Sequence, residues 1–329
     1  MKVTIKDVVK ASGLSYATVS RAIRNDASVK EKNRKIVHDA MKAIGYVPSA
    51  AARTLVTGKT FVVAILISDL GDDYYNKIIK DVHFELLKKG YLLSVTICEE
   101  GDVTESAFIQ EDRVDGVILM VPGREAHFVK LLQAQQVPFI VVDNQSTDSG
   151  IASIQSDDVQ GGYLAVQHLM EMGHSKVGLI GGPKDSLSSI NRYQGACRAL
   201  AMKHIVASDY CMGNYDQRHG YSTVMAWHKE NRLPTAIFAF DDHIAVGAIN
   251  GLKDLGLKVP EDISVCGFDD SDIANQYVPR LTSVHQPTHD MAQASVSQLM
   301  LIIEGNNQAT KAMKLEPLLV RRDSVIAKA

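Results

Sequence analysis

Cysteine is scarce in this chain. Four occur in 329 residues, Cys98, Cys197, Cys211 and Cys266, and none forms a C-x-x-C pair. That argues against a disulfide scaffold and predicts ordinary thiols in a reducing cytosol. Long uncharged apolar runs are missing, so no segment reads as a membrane span and no membrane partner is expected. The opening MKVTIKDVVKAS has scattered charges and no apolar core, so it does not read as a secretory signal, and a cytoplasmic location is expected. No G-x-G-x-x-G or P-loop follows an apolar run, because GLIGGP lacks the spacing. This weighs against an enzyme such as a sugar kinase or dehydrogenase. No catalytic residue and no cofactor is expected. His285 and His289 are closely spaced, but Pro287 between them spoils a helical pair of ligands, so no metal site is expected either.

What is present is divided unevenly. Hydrophobic residues make up 46% of the chain and mean hydropathy is −0.04, as in a soluble globular protein of two or three domains. Residues 1–59 hold 12 Lys and Arg against 4 Asp and Glu, a net of +8. The remainder holds 23 basic and 34 acidic residues, a net of −11, so the overall −3 hides a basic head on an acidic body. A basic head concentrates phosphate contacts, and an acidic body stays away from them.

The head has a pattern of its own. In TIKDVVKASGLSYATVSRAI, Ile5, Val8 and Val9 share one helical face. Ser12-Gly13-Leu14 breaks the period, Ser15 offers an N-cap, and Val19, Ala22 and Ile23 form a second face. Two short helices around a glycine turn predict a helix-turn-helix and a duplex DNA partner. The helices are expected near 5–11, 16–24 and 31–44, the last closed by Gly45. Pro48-Ser49 opens the short run AAARTLV, which Gly58 stops. It is long enough for about two helical turns and too short to be stable alone.

From Phe61 the pattern alternates between strand and helix. FVVAILIS, LLSVTIC, GVILMV and FIVVD predict one set of buried parallel strands, with helices near 76–89 and 128–135. KVGLIGG, TAIFAFD and ISVCGFDD predict a second set. Two such sets imply an α/β body of two doubly wound parallel sheets with a cleft at the strand ends. Asp69, Asp143, Asp241, Asp242, Asp269 and Asp270 follow those ends, with Tyr74, Tyr75 and Arg192 nearby. Carboxylates, a guanidinium and aromatic rings suit a small polyhydroxylated ligand.

Several motifs in one order resemble the LacI/GalR family of bacterial transcription regulators over essentially the full length. They are the head motif, YVPSAAARTL, VDGVILM, GHSKVGLIGGP, RYQGACRAL, DDHIAVGAI, VPEDISVCGFDD and LTSVHQP. The resemblance implies a helix-turn-helix head over 1–45 and a hinge with a short helix over 46–59. It implies a periplasmic-binding-protein-like body, with one subdomain from 60–157 and 287–316 and another from 158–286 and 317–329. It further implies a homodimeric repressor that binds near-palindromic operator DNA. The effector would be a small molecule: a sugar, a nucleoside or a phosphorylated metabolite.

Carried over residue by residue, the DNA contacts fall on Thr4, Ser15, Tyr16, Ala17, Thr18 and Arg21 in the head. In the hinge they fall on Ala52, Arg53 and the wedge Leu55. Effector contacts fall on Tyr74, Tyr75, Arg192, Tyr215, Asp241, Asp269 and Gln286. Asp157 reads as structural, and Asp143 and Asp270 as peripheral. Two places depart from the family pattern: Lys30 stands where many members have a capping serine, and Val56 where many have a lysine after the wedge. No leucine heptads close the chain at VRRDSVIAKA, so no coiled-coil tetramer is expected. The rival reading is a sugar-binding transport protein on the same body, which the basic head argues against.

Overall fold

The computed structural model describes residues 3–24, 26–46, 54, 57–71, 73–98, 113–145, 150–306 and 312–328. The chain divides into two compact units, residues 1–61 and 62–329.

The first unit holds α1 (Ile5–Ser12), α2 (Tyr16–Ile23) and α3 (Glu31–Ile44). Its core is built by the apolar periods read in the sequence: Val8 from α1, Val19 and Ala22 from α2, Val37 and Ala40 from α3, with Val29 between. Each helix is ended or begun by local chemistry. Asp7 accepts from the Thr4 N–H at 2.9 Å and from the Thr4 hydroxyl at 2.8 Å, which ties down the start of α1. Gly13 ends α1 at φ 66°, a left-handed conformation that glycine adopts without steric cost. Ser15 then caps α2, accepting from the Thr18 N–H at 3.3 Å. Lys30 supplies no side-chain cap, and α3 begins at Glu31 without one. Beyond α3, the Gly58 N–H donates to the Thr54 carbonyl at 2.8 Å. Pro48, Ser49, Ala52, Arg53, Leu55 and Val56 lie outside the described residues.

The second unit contains two six-stranded sheets. The first takes its strands from β1 (Val62–Ile67), β2 (Leu92–Ile97), β3 (Gly116–Met120), β4 (Phe139–Val142), β5 (Ser153–Ser156) and β11 (Ala312–Leu315). Their order is β11-β5-β4-β3-β1-β2, and all pairings are parallel. The second takes β6 (Val177–Gly181), β7 (Asp209–Met212), β8 (Ala236–Ala239), β9 (Ser264–Asp269), β10 (Thr282–His285) and β12 (Leu318–Val320), in the order β12-β10-β9-β8-β6-β7. It is parallel except for β12, which runs antiparallel to β10.

Period-two burial explains why central strands are apolar throughout. In the second sheet, Phe238 and Phe240 enter one core while Ile237 and Ala239 enter another on the opposite face. Helices α4 (Asp73–Lys88) and α5 (Glu125–Ala134) belong to the first sheet's strand alternation, as does α11 (Thr288–Ile303), which packs on β3, β4 and β5. Helices α6 (Asp158–Glu171), α7 (Leu187–Ala201), α8 (Gln217–Lys229), α9 (Asp242–Asp254) and α10 (Asp272–Gln276) belong to the second. The chain passes between the subdomains after β5, after β10 and after β11. Parallel sheets place all strand carboxyl ends, and hence the loops that follow them, on one side.

Candidate functional site

In the head, the exposed side chains cluster at the start of α2. Tyr16 is 55% exposed, and Ala17 and Arg21 are exposed with it. The Ser15 hydroxyl is hydrogen-bonded to that of Thr18 at 2.9 Å, so both are committed to capping. A helix start with free polar tips is the part of a helix-turn-helix that reaches base edges.

In the body, a cavity of about 840 Å³ opens between the two sheets' carboxyl ends. Tyr74, Tyr75, Arg192, Tyr215, Asp241, Asp269 and Gln286 all line it. Each reaches it from a strand end or a helix start. Tyr74 and Tyr75 lie in the first turn of α4, Asp241 caps α9 by accepting from the Ile244 N–H at 3.0 Å, and Gln286 follows β10.

Arg192 organises the floor. Its Nε donates to Asp158 Oδ1 at 2.8 Å and its Nη1 to the Phe240 carbonyl at 2.5 Å. Nη2 lies 3.6 Å from Asp269 Oδ1. The guanidinium carbon sits 3.7 Å from the centre of the Phe268 ring, within cation–π range. Burial works against this charge, but Asp158 and Asp269 more than offset it and hold the Arg192 pKa well above its ordinary value.

The carboxyls around it are shifted the other way. Burial pushes Asp269 well above the carboxylate range; Arg192 opposes this and the neighbouring Asp241 adds to it. Burial, with the neighbouring Asp242, pushes Asp241 up to about 6. Burial, with Asp158 nearby, pushes Asp143 up to about 7. Gln286 Nε2 donates to Asp269 Oδ1 at 2.5 Å. Asp143 and Asp269 both hold positive φ, 55° and 97°, at the ends of β4 and β9. Backbone strain of this kind concentrates where side chains must be aimed at a ligand.

Two families of models match this chain. That of the bacterial regulatory proteins, lacI family, matches residues 4–49, and that of the periplasmic binding protein-like domain matches residues 166–325. The HTH-type transcriptional repressor PurR of Proteus mirabilis is 32% identical over 331 residues, covering 98% of this chain and 96% of its own. The chain belongs to the LacI family. PurR of Photorhabdus laumondii is also 32% identical, covering 98% of this chain and 97% of its own. Among solved structures, the Lac repressor dimer bound to operator and the anti-inducer ONPF superposes with a TM-score of 0.87 at 28% identity, covering 99% of this chain and 100% of that one. The regulator CelR in complex with cellobiose superposes at 0.75 with 26% identity, covering 98% and 100%.

Within this LacI-family body the residues read as secondary divide differently. Asp157 caps α6, accepting from the Gln160 N–H at 3.1 Å. Asp270 is outside the cavity lining, engaged by Arg322 Nη2 at 2.5 Å and by His285 Nδ1 at 3.1 Å. Asp143 is a correction: it is not peripheral but lines the cavity and accepts from the Tyr75 hydroxyl at 3.1 Å. The left-handed turn after β4 directs it inward, which strand counting cannot show.

The sequence reading also passed over Gln145, Ser186 and Ser188. Gln145 Nε2 donates to the Ser188 hydroxyl at 2.8 Å, and its Oε1 accepts from the Ser188 N–H at 3.0 Å. It thereby joins the loop after β4 in one subdomain to the start of α7 in the other. Ser186 is hydrogen-bonded to the Tyr215 hydroxyl at 3.2 Å. The rule that singled out the aspartates, a place just past a strand end, also applies to Gln145. An amide at such a place carries no charge to mark it. Among the described residues no group of three or more His, Cys, Asp or Glu is arranged to hold a metal ion.

Proposed function

We propose that this LacI-family chain is a transcription repressor that binds a near-palindromic operator as a homodimer and answers to a small polar metabolite held in the cleft. The observation that carries the reading is the convergence of seven side chains, scattered from Tyr74 to Gln286, on one cavity in a chain that also bears a helix-turn-helix. A transport protein would have no use for the head.

The roles follow from chemistry. Tyr16, Ala17 and Arg21 read base edges, with Arg21 suited to guanine and Ala17 to a thymine methyl. Thr4, Ser15 and Thr18 hold the register by caps and backbone contacts. In the cleft, Tyr74, Tyr75 and Tyr215 form walls, and Arg192, Asp241, Asp269 and Gln286 bind polar groups. Gln145, Ser186 and Ser188 join them as a contact between the subdomains. A ligand that changes the angle across three chain crossings biases a two-state element, and that bias is the signal carried to DNA. Self-association fits the first subdomain. Phe84 and Leu87 on α4 and Leu92 on the edge strand β2 are 51%, 45% and 59% exposed.

Binding-site selection with the full-length protein should return a near-palindromic motif. A metabolite that raises the melting temperature should then shift operator affinity in one direction. A ligand at 100 times its dissociation constant adds about 2.7 kcal/mol to stability, well within reach of a thermal-shift assay. An unenriched selection, or a cleft ligand that leaves operator affinity untouched, would overturn the proposal.

A further inference from the structure

Asp270 stands one residue past the cavity lining and is tied from four directions. It follows Asp269 at the end of β9, and both hold positive φ, 97° for Asp269 and 50° for Asp270. Two left-handed residues in succession, neither a glycine, persist only where the surroundings fix them. The Asp270 N–H donates to the Ser283 hydroxyl at 3.1 Å. One carboxylate oxygen accepts from Arg322 Nη2 at 2.5 Å, and the other is bonded to His285 Nδ1 at 3.1 Å. The carbonyl accepts from Lys77 Nζ at 3.0 Å. Burial raises the Asp270 pKa, but His285 and Arg322 more than offset it and hold the carboxyl below its ordinary value.

These ties meet where the chain crosses between subdomains. His285 is the last residue of β10, directly before the crossing into the first subdomain. Arg322 follows β12, the strand by which the chain returns after β11. Lys77 belongs to α4 of the first subdomain. Leu318 of β12 stands opposite His285, so the second and third crossings lie side by side. The cavity touches the same strand ends. Asp269 and Gln286 line it and are hydrogen-bonded to each other at 2.5 Å. Asp269 is the chain neighbour of Asp270, and Gln286 of His285. The ends of β9 and β10 thus offer one pair to the cavity and the adjoining pair to the crossings.

Resting on the cleft as the effector site, we infer that Asp270 is the positioning residue that clamps the second and third crossings and so sets the angle between the subdomains. A displacement of Asp269 or Gln286 reaches Asp270 or His285 through one peptide bond. Charge-assisted hydrogen bonds are short and weaken steeply with distance and angle, so the clamp holds or breaks and does not stretch. It is a two-state element beside the cavity that a ligand biases without touching it.

The test is hydrogen exchange by mass spectrometry on the full-length, ligand-free protein, with operator affinity measured by anisotropy on the selected duplex. In Asp270→Asn, amides of residues 284–290 and 312–320 should exchange about tenfold faster, while those of the central strand β8 stay as in the parent. Operator affinity should change about fivefold or more. Asp323→Asn removes the exposed ion pair with Arg280 on the same tail, and should leave both segments and the affinity within about twofold of the parent. Arg322→Gln keeps the test open if Asp270→Asn does not fold: residues 312–320 should loosen alone, and unchanged exchange there overturns the inference. Unchanged exchange at both crossings in Asp270→Asn also overturns it and leaves the repressor reading standing. So does faster exchange that spreads into β8, because Asp270 would then hold the sheet and not the crossings. Loosened crossings with unaltered operator affinity would cut the clamp off from the DNA response and overturn it too. A failed operator selection counts against the repressor reading alone, and the exchange pattern still decides for or against the clamp.

Discussion

Arg192 shows how one side chain can be structural and still line a cavity. It is 6% exposed, bonded to Asp158 and Phe240, and laid over Phe268. Removing one partner of a buried ion pair leaves the other charge uncompensated. Arg192→Ala should therefore lower stability by about 3–5 kcal/mol, read by urea unfolding. A loss under 1 kcal/mol would mean that water or a neighbour replaces the guanidinium. Arg192→Lys should not rescue it, because a point charge cannot serve two divergent acceptors and a ring face at once.

Asp242 makes a different prediction at the same scale. It is fully buried, accepts from Ser271 and Ser283, and is raised to about 7 by burial and by Asp269. A carboxyl whose folded pKa lies above its unfolded value of about 3.9 favours the fold only while it keeps its proton. Its contribution is complete below the unfolded value, declines as pH rises, and is gone above the folded one. Asp242→Asn should remove that decline. Between pH 4.5 and 7.5 the difference in melting temperature, variant minus wild type, should grow steadily in the variant's favour. A difference that stays constant with pH would show that Asp242 does not titrate in this window.

At the scale of elements, Gly195 explains how Arg192 is delivered. A Cβ at Gly195 would come within 1.9 Å of the Val159 carbonyl, and one at Gly162 within 2.1 Å of the Arg192 carbonyl. The pair lets α6 and α7 touch backbone to backbone, which is what brings Asp158 to Arg192. The RYQGACRAL motif is thus a helix contact as well as the carrier of Arg192. Gly195→Ala would gain about 1 kcal/mol of helix propensity but must separate two packed helices. A net destabilisation of about 3 kcal/mol or more is expected in chemical unfolding. A variant as stable as the parent would mean the helices can part at no cost.

At the scale of the whole molecule, cleft geometry and head charge come into play. Gln145 bonds across the cleft to Ser188, and Lys77 Nζ reaches the Asp270 carbonyl at 3.0 Å and Asp272 at 3.2 Å. Gln145→Ala should shift the ligand-free protein toward a more open cleft, seen as a larger radius of gyration in X-ray scattering. An unchanged radius would place the restraint elsewhere. The basic head sets the ionic part of DNA binding. If two heads neutralise about 8 phosphates, log affinity against log salt should fall with a slope of about −7. A slope near zero in anisotropy titrations would remove DNA from the list of partners.

The sequence alone was enough for whatever depends on near neighbours. Helix periods in the head, its caps at Ser15 and Gly45, and the apolar central strands were legible because period and capping are local. So was the placing of Asp241, Asp269 and Arg192 near a cleft, since a parallel sheet gathers its strand ends on one side. Pairing between distant segments was not legible. The short or polar strands β5, β7, β10, β11 and β12 carry little periodic signal and are strands only because a neighbour's ladder receives them. Asp158 follows a capping aspartate and looks like one, and only the packing of α6 on α7 turns it toward Arg192. Gln145 meets Ser188 because two sheets, threaded by three crossings, close on each other. Local chemistry sets which elements form, while the cost of burying unpaired charges and polar groups decides which side chains must meet.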